Sequence, residues 1–167
     1  IVIPFTNKDN EDKVLDYCYD LKNKLESIEY NEGNIWVIID NSRVWWGRKF
    51  WDSVRRGIPL ILKVWEKEME KDSVTLVKRI DIENSDLISK WNLSSDLVSI
   101  LDWIQDNIYT NALEFRNKNI VEVNSLEDFK KHFSKENPEF TICYSDPEVD
   151  EKREELLKEL KATSRGI

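Results

Sequence analysis

Apolar residues in the first third of the chain follow two different patterns. Between residues 9 and 27 they are spaced three or four apart, which predicts an amphipathic helix with Asp9 or Asn10 as its cap. Three other stretches have the length of strands: residues 1–5, 35–39 and 59–65. The run at 35–39 is apolar without interruption, as a buried strand is, and 59–65 is apolar except at Lys63. Strand, helix and strand in succession indicate an α/β unit.

Shorter patterns complete this first unit. Residues 47–55 predict a short helix that stops at Gly57. A polar turn at residues 69–73 precedes a further apolar strand at 74–77, which predicts an antiparallel hairpin with the strand at 59–65. The fold class that follows is α/β, with a mixed β-sheet flanked by helices.

The second half of the chain begins with a long helical pattern over residues 93–116, for which Ser94 or Ser95 is the expected cap. Beyond it, strand and helix patterns alternate, at residues 120–123, 126–133, 140–143, 150–161 and 162–167. We therefore expect three parts, namely a domain at residues 1–92, a connecting helix at 93–117 and a small α/β C-terminal domain at 118–167.

Composition narrows the class of protein. The chain has 167 residues, of which 40% are hydrophobic and 35% charged, and its formal net charge is -8. These values are typical of a soluble globular protein, and no apolar run approaches the roughly 20 residues that a bilayer span needs. A cytoplasmic protein without a membrane role is expected. The first residues lack an initiator Met and a signal peptide, and they have the pattern of a strand entered within a longer protein.

Few residues have the pattern of catalytic or metal chemistry. Cys18 and Cys143 are far apart, and His132 is the only histidine, so neither a disulfide framework nor a four-ligand zinc site is expected. A glycine-rich phosphate loop and a paired nucleophile and base are also absent from the sequence. We predict no catalytic residue, no metal and no cofactor in this chain.

The most informative segment is residues 42–57. It holds five positive side chains against Asp52 alone, a charge of +4 in an acidic chain, and three tryptophans, Trp45, Trp46 and Trp51. Cations beside flat rings suit single-stranded nucleic acid, because the cations contact phosphates while the rings stack on bases. The alternative is that Phe50 and Trp51 belong to the core and the arginines form a solvated helix face. Composition alone leaves both readings open.

Four short motifs occur in a fixed order between residues 40 and 79. They are Asp40, Gly47-Arg48-Lys49-Phe50, Arg56-Gly57-Ile58-Pro59-Leu60 and Val74-Thr75-Leu76-Val77-Lys78-Arg79. In order and spacing they resemble the anticodon-binding domain of prolyl-tRNA synthetases of the archaeal and eukaryotic type, a class II family. Weaker matches extend the resemblance towards the end of the chain, at residues 112–116, 121–123, 127–130 and 162–167.

Two departures from the family pattern qualify the resemblance. Trp65-Glu66-Lys67 stands where the family has Gly-Pro-Arg, so a contact made by that arginine is not expected here. Of the cysteines that bind a structural zinc in many relatives, only Cys143 remains, and Gly166 occupies the last cysteine position. The resemblance therefore implies a form without zinc.

The resemblance implies that the chain is the tRNA-recognition part of a proline–tRNA ligase and lacks the catalytic core. It also implies that the parent enzyme uses ATP and is a homodimer. The two partners implied for this chain are the anticodon loop of proline tRNA and the catalytic core of the parent enzyme. Two alternatives stay open: a structural module that stabilises the synthetase core, or a stand-alone relative that binds another RNA or protein. The residues implied to recognise the anticodon are Arg43, Trp45, Trp46, Arg48, Lys49, Asp52 and Arg56.

Overall fold

The structure is a computed structural model that describes residues 1–134, 136, 140–144 and 150–164, with side chains left out at 150–153. It divides into two compact units, Ile1–Tyr109 and Thr110–Ile167, and each is described by itself. The three-part division expected from the sequence, at residues 92 and 117, stays a prediction.

The first unit is built on a four-stranded mixed sheet with the order β1-β4-β5-β6. Strand β1 (Val2–Pro4) is parallel to β4 (Leu60–Val64). Strand β5 (Ser73–Lys78) is antiparallel to β4 and to β6 (Asp81–Ser89). The predicted mixed sheet is confirmed, including the antiparallel pairing of the strands at 59–65 and 74–77.

The predicted strand at residues 35–39 is wrong except at its end. Only Ile39 bridges in parallel to Val2, whose N–H donates to Ile38 O at 2.8 Å. The run is not a buried strand, because Trp36 in its middle is 81% exposed. The chain before it forms a small hairpin, β2 (Glu29–Tyr30) and β3 (Gly33–Asn34).

Helices cover both faces of the sheet. One face packs against α1 (Glu11–Glu26) and against the start of α4 (Lys90–Lys118), in a core of aliphatic side chains that includes Leu21 and Leu93. The other face packs against α2 (Trp46–Arg55), whose Phe50 joins a second, smaller cluster. Burial on both faces explains why β1 is apolar throughout and β4 is apolar except at the half-buried Lys63. The second cluster consists of Ile3, Phe50, Ile61 and Val77.

The start of α4 differs from the prediction. The helix begins at Lys90, and Ser89 Oγ accepts a hydrogen bond from Asn92 N at 3.1 Å, as an N-cap does. Ser94 and Ser95 are not caps, since both lie inside the helix and their hydroxyls donate to backbone carbonyls one turn earlier. A cap is also absent at Asn10, because its side chain accepts from Asn7 N and bonds no helix N–H.

Besides the small hairpin of β2 and β3, two elements of the first unit were not predicted. A short helix, α3 (Glu66–Glu70), joins β4 to β5 where a turn was expected. Strand β6 lies at the edge of the sheet and is mostly exposed, so its sequence is polar and lacks the alternation of a half-buried strand.

The second unit contains a parallel pair of short strands, β7 (Ile120–Glu122) and β8 (Phe140–Ile142). Helix α5 (Leu126–Phe133) lies between them in sequence, and Ser125 Oγ caps it by accepting from Asp128 N at 3.0 Å. Helix α6 (Asp150–Glu159) follows. Residues 162–164 are not in a strand, and the remainder of the strand predicted there, 165–167, lies outside the described residues. No helix in the described ranges has both the length and the apolar character needed to cross a membrane.

Candidate nucleic-acid interface

Three parallel segments end at one edge of the sheet in the first unit. Phe5 follows β1, Trp65 follows β4, and Asp40 follows the bridge at Ile39. Open α/β sheets bind ligands outside the carboxyl ends of their parallel strands. This edge is therefore where the fold favours a binding site.

Four aromatic rings are in contact along this edge, and we call them the aromatic row. Trp45 and Trp46 have ring centroids 5.4 Å apart, and Trp46 lies 5.8 Å from Phe5. Phe5 stacks on Trp65, with centroids 4.0 Å apart and planes inclined by 21°. Trp45 is 69% exposed and Trp46 is 47% exposed, so the row offers ring surface to a ligand.

Gly47 permits this arrangement. A Cβ atom at residue 47 would lie 2.3 Å from two atoms of the Trp45 ring, which is far inside van der Waals contact. The absence of a side chain therefore lets the Trp45 ring lie across the first turn of α2. The signal for this in the sequence is the glycine that follows the two tryptophans.

A cleft of about 1030 Å³ adjoins the aromatic row. Phe5, Trp46 and Trp65 line it on the apolar side, and Asn10 and Glu66 provide polar groups, with Asn10 Nδ2 donating to Glu66 Oε2 at 3.0 Å. The volume is at the upper end of the range for small-ligand sites. Most of the other lining residues are polar or charged. Aromatic rings on one side and polar side chains around them suit a nucleobase, which has flat faces and polar edges.

Exposed cations lie at both ends of α2, with Arg48 in its first turn and Arg55 and Arg56 about two turns later at its C-terminal end, and we call these three residues the basic stripe. Asp52 lies between them, with Oδ2 3.7 Å from Arg48 Nε and an ion pair to Arg55. The guanidinium-bearing side chains of Arg48 and Arg55 stay 73% exposed. Asp52 thus holds two guanidinium groups in place and leaves them free for a ligand.

The remaining predicted cations, Arg43 and Lys49, differ in how far they are exposed to solvent. Arg43 is exposed and lines the cleft. Lys49 is only 7% exposed, and its Nζ donates to Asp40 O at 2.9 Å. The Asp40 carboxylate in turn accepts from the N–H and the hydroxyl of Ser42. The structure thus places the Lys49 ammonium group against the loop that carries Arg43, and a contact of Lys49 with RNA stays a prediction.

The alternative interpretation of residues 42–57 placed Phe50 and Trp51 in the core, and it is right for Phe50 and wrong for Trp51. Phe50 is buried in the smaller core cluster, as that reading required. Trp51 is 53% exposed and meets Phe50 edge to face at 5.4 Å, so it is not a core residue. Sequence reasoning missed Phe5 and Trp65 as members of the site. The available signal was an aromatic residue directly after each of two predicted strands.

Comparison with known proteins agrees with the geometry. Residues 1–99 match the family model of the anticodon binding domain. The whole chain is 28% identical to a proline–tRNA ligase of Akkermansia muciniphila and 29% identical to one of Oceanobacillus iheyensis, and it spans about a third of the length of each. A proline–tRNA ligase of Christiangramia forsetii is 32% identical over 71% of this chain and 24% of its own length. The resemblance stated from the motifs is confirmed: this chain belongs to the anticodon-binding domain family and is homologous to that part of the proline–tRNA ligases.

Proposed function

We propose that this chain is the part of a proline–tRNA ligase that recognises the anticodon of proline tRNA. The observation that carries the proposal is the exposed aromatic row at the edge of the sheet where the fold favours a ligand, with the cations Arg43 and Arg48 next to it in the loop and in the first turn of α2. The parent enzyme attaches proline to its tRNA with ATP. On the resemblance alone we also propose that it is cytoplasmic and homodimeric.

In this proposal, aromatic rings and charged side chains contact different parts of the anticodon loop. Unstacked bases of the anticodon loop stack on Trp45 and Trp46, which present their faces to solvent. Arg43, Arg48 and Arg56 contact phosphates or base edges, for which a planar guanidinium group is suited. The base edges that enter the cleft meet side-chain amide and carboxylate groups, which can accept and donate hydrogen bonds.

Asp52 and Lys49 act through other residues. Asp52 orients Arg48 and Arg55 by ion pairing. Lys49 holds Asp40 and so orders the loop from which Arg43 and Trp45 project. Both are positioning residues in this proposal, which sharpens the role that the resemblance gave them.

Replacement of Arg48 by alanine tests the proposal. With an anticodon stem-loop of proline tRNA as the ligand, we expect Arg48→Ala to weaken binding by about 1–3 kcal/mol if it reads a base. If Arg48 instead contacts a phosphate, the slope of log affinity against log salt falls by roughly 0.7.

The matched control is Lys13→Ala, which makes the same charge change at an exposed position of α1. A stem-loop with an unrelated anticodon controls for specificity. If Arg48→Ala binds the proline stem-loop as tightly as the wild type does, the proposed contact surface is wrong.

A second function is favoured by a separate observation, namely exposed aromatic residues on α4. Trp91 is 80% exposed and Tyr109 is 64% exposed. They are 18 residues apart, five helical turns, and so lie on one face of the helix. Exposed aromatic side chains of this kind are what a module that packs on the catalytic core presents.

Surface substitutions separate this structural role from tRNA recognition. Truncation before α4 is unsuitable, because Leu93 and Leu97 belong to the core of the first unit. In the full-length enzyme, Trp91→Ser with Tyr109→Ser lowers proline activation if the face packs on the catalytic core. Normal proline activation and normal charging of tRNA in that variant would remove the structural role.

A further inference from the structure

Lys63 lies close to the aromatic row but was not predicted to belong to the site. It is two residues before Trp65 in the chain, so both side chains leave β4 on the same side, about 6.6 Å apart along the strand. Its register partners are Ile3 on β1 and Thr75 on β5. Lys63 therefore emerges on the face of the sheet that α2 covers, next to the row.

Lys63 differs in its ion pairing from two other lysines that also lie over aromatic rings. Three lysines in the described part of the chain lie over aromatic rings: Lys63 over Phe50 at 4.9 Å, Lys78 over Trp103 at 5.2 Å and Lys90 over Tyr17 at 4.3 Å. Lys78 also pairs with Asp86 at 2.7 Å, and Lys90 pairs with Asp20. Lys63 has no carboxylate within 4.0 Å among the residues whose side chains are described.

The surroundings of Lys63 favour an anion. The residue is half-buried, and this burial lowers the pKa of its amine. A partly desolvated ammonium group is costly unless an opposite charge or hydrogen bonds compensate it. The ring of Phe50 provides only part of that compensation. A phosphate beside the aromatic row would provide the rest.

We infer that Lys63 is a further RNA-binding residue, which contacts a backbone phosphate of the nucleotide strand stacked on the aromatic row. The inference rests on the proposed function. It extends the binding surface from α2 and its loop to the sheet itself. The competing explanation is that the hydrocarbon stem of Lys63 merely covers Phe50 and the charge has no role.

The test uses Lys63→Met and Lys63→Arg in the full chain, with the proline anticodon stem-loop as the probe. Met keeps the stem and removes the charge, so we expect binding to be about tenfold weaker at low salt and the salt slope to fall by roughly 0.7. Arg keeps the charge and is expected to keep the slope. Thermal unfolding of each variant reports whether the fold is retained.

Lys78→Met is the matched control, because it makes the same charge change on the opposite face of the sheet, where Lys78 lies over Trp103 of α4. It is expected to leave the salt slope unchanged. Lys63→Met with the wild-type slope overturns the inference and leaves the proposed function standing. Failure of the wild-type chain to bind the stem-loop instead counts against the proposed function.

A measurement on the unaltered protein complements the variants. Acetylation of surface lysines in the presence and absence of the stem-loop is read by mass spectrometry at each position. We expect bound RNA to protect Lys63 and to leave Lys78 as reactive as before. Equal reactivity of Lys63 in both conditions contradicts a phosphate contact, whatever the stability of the variants.

Discussion

Gly47 shows how one missing side chain shapes the surface of the protein. Its Cα is overlaid by the ring of Trp45, so Gly47→Ala forces that ring to move. Alanine is the better helix former by about 1 kcal/mol, so α2 itself is not expected to weaken. We expect unchanged or slightly higher stability, and stem-loop binding weaker by about 1–3 kcal/mol through the loss of one stacking surface.

Near-ultraviolet circular dichroism and a binding titration check both parts of the Gly47 prediction. Ser53→Ala is unsuitable as a control because its hydroxyl donates to Lys49 O inside the helix. An exposed position outside the proposed surface serves better, such as Asn23 on α1, since Asn23→Ala changes no charge and leaves the Trp45 ring untouched. A near-ultraviolet spectrum that is identical in the wild type and in Gly47→Ala contradicts the argument.

The two cysteines are expected to differ strongly in reactivity. Cys18 is fully buried, and burial raises its pKa to about 12, while Cys143 is exposed. Since the thiolate is the reactive form, Cys18 reacts with a thiol reagent roughly a thousandfold more slowly than an ordinary cysteine of pKa near 8.5.

Titration with a colorimetric thiol reagent measures this difference. One thiol reacts rapidly in the native protein and two react in denaturant. In Cys143→Ser the rapid phase disappears. Two rapid thiols in the folded wild type would show that Cys18 is accessible.

At the scale of elements, one ion pair joins the start of α4 to α1. Lys90 is only 5% exposed, pairs with Asp20, and donates its backbone N–H to Asp72 O at 2.9 Å. The hydrogen bond from Lys90 lowers the pKa of Asp20 below its ordinary value. The pair therefore stabilises the fold above a pH of about 4, and the contribution is lost as the pH falls through the lowered pKa.

Asp20→Asn is expected to lower the free energy of unfolding by about 1–2 kcal/mol at pH 7, because a buried ammonium group loses its charged acceptor. The value is modest since the Asp20 side chain is 56% exposed. The difference from the wild type shrinks towards pH 3. Asp16→Asn, an exposed acid one turn earlier on α1, is the matched control in urea titrations at both pH values. A deficit that is as large at pH 3 as at pH 7 would rule out the carboxylate as its source.

The elements that the sequence predicted well are those whose burial leaves a pattern. Helix α1 buries one stripe and β4 is buried on both faces apart from the half-buried Lys63, so the helical period and a nearly continuous apolar run were sufficient to predict them. Residues 35–39 have the same continuity but expose Trp36, since hydrophobic residues also occur at the surface. Strand β6 could not be predicted from the sequence pattern, because its hydrogen bonds to β5, rather than apolar burial, place it in the sheet.

At the scale of the whole molecule, only those site residues that are neighbours in the sequence could be predicted. Residues 42–57 carry their own signal in charge and tryptophan content. Phe5 and Trp65 join Trp46 only through the pairing of β1 with β4, which brings together residues far apart in the chain. The burial of Lys49 was also unpredictable, because lysine is almost always exposed.

The two units are expected to differ in stability. Nearly all of the buried apolar residues belong to Ile1–Tyr109, whereas Val123 is the one buried hydrophobic residue in the described part of Thr110–Ile167. A unit with so small a core opens at lower cost. We expect hydrogen exchange at β7 and β8 to be faster than at β4 and β5 by at least about two orders of magnitude, which mass spectrometry of peptides can measure. Equal protection of the two strand pairs would contradict this expectation.

The basic stripe has a consequence for the kinetics of association. It is a local positive region on a chain whose net charge is -8, so an approaching polyanion is repelled over most of the surface and attracted at α2. Encounters are thereby oriented before any contact forms. As ionic strength increases, the association rate should fall more steeply than the dissociation rate rises. RNA that approaches the acidic sides of the protein is repelled and does not bind there.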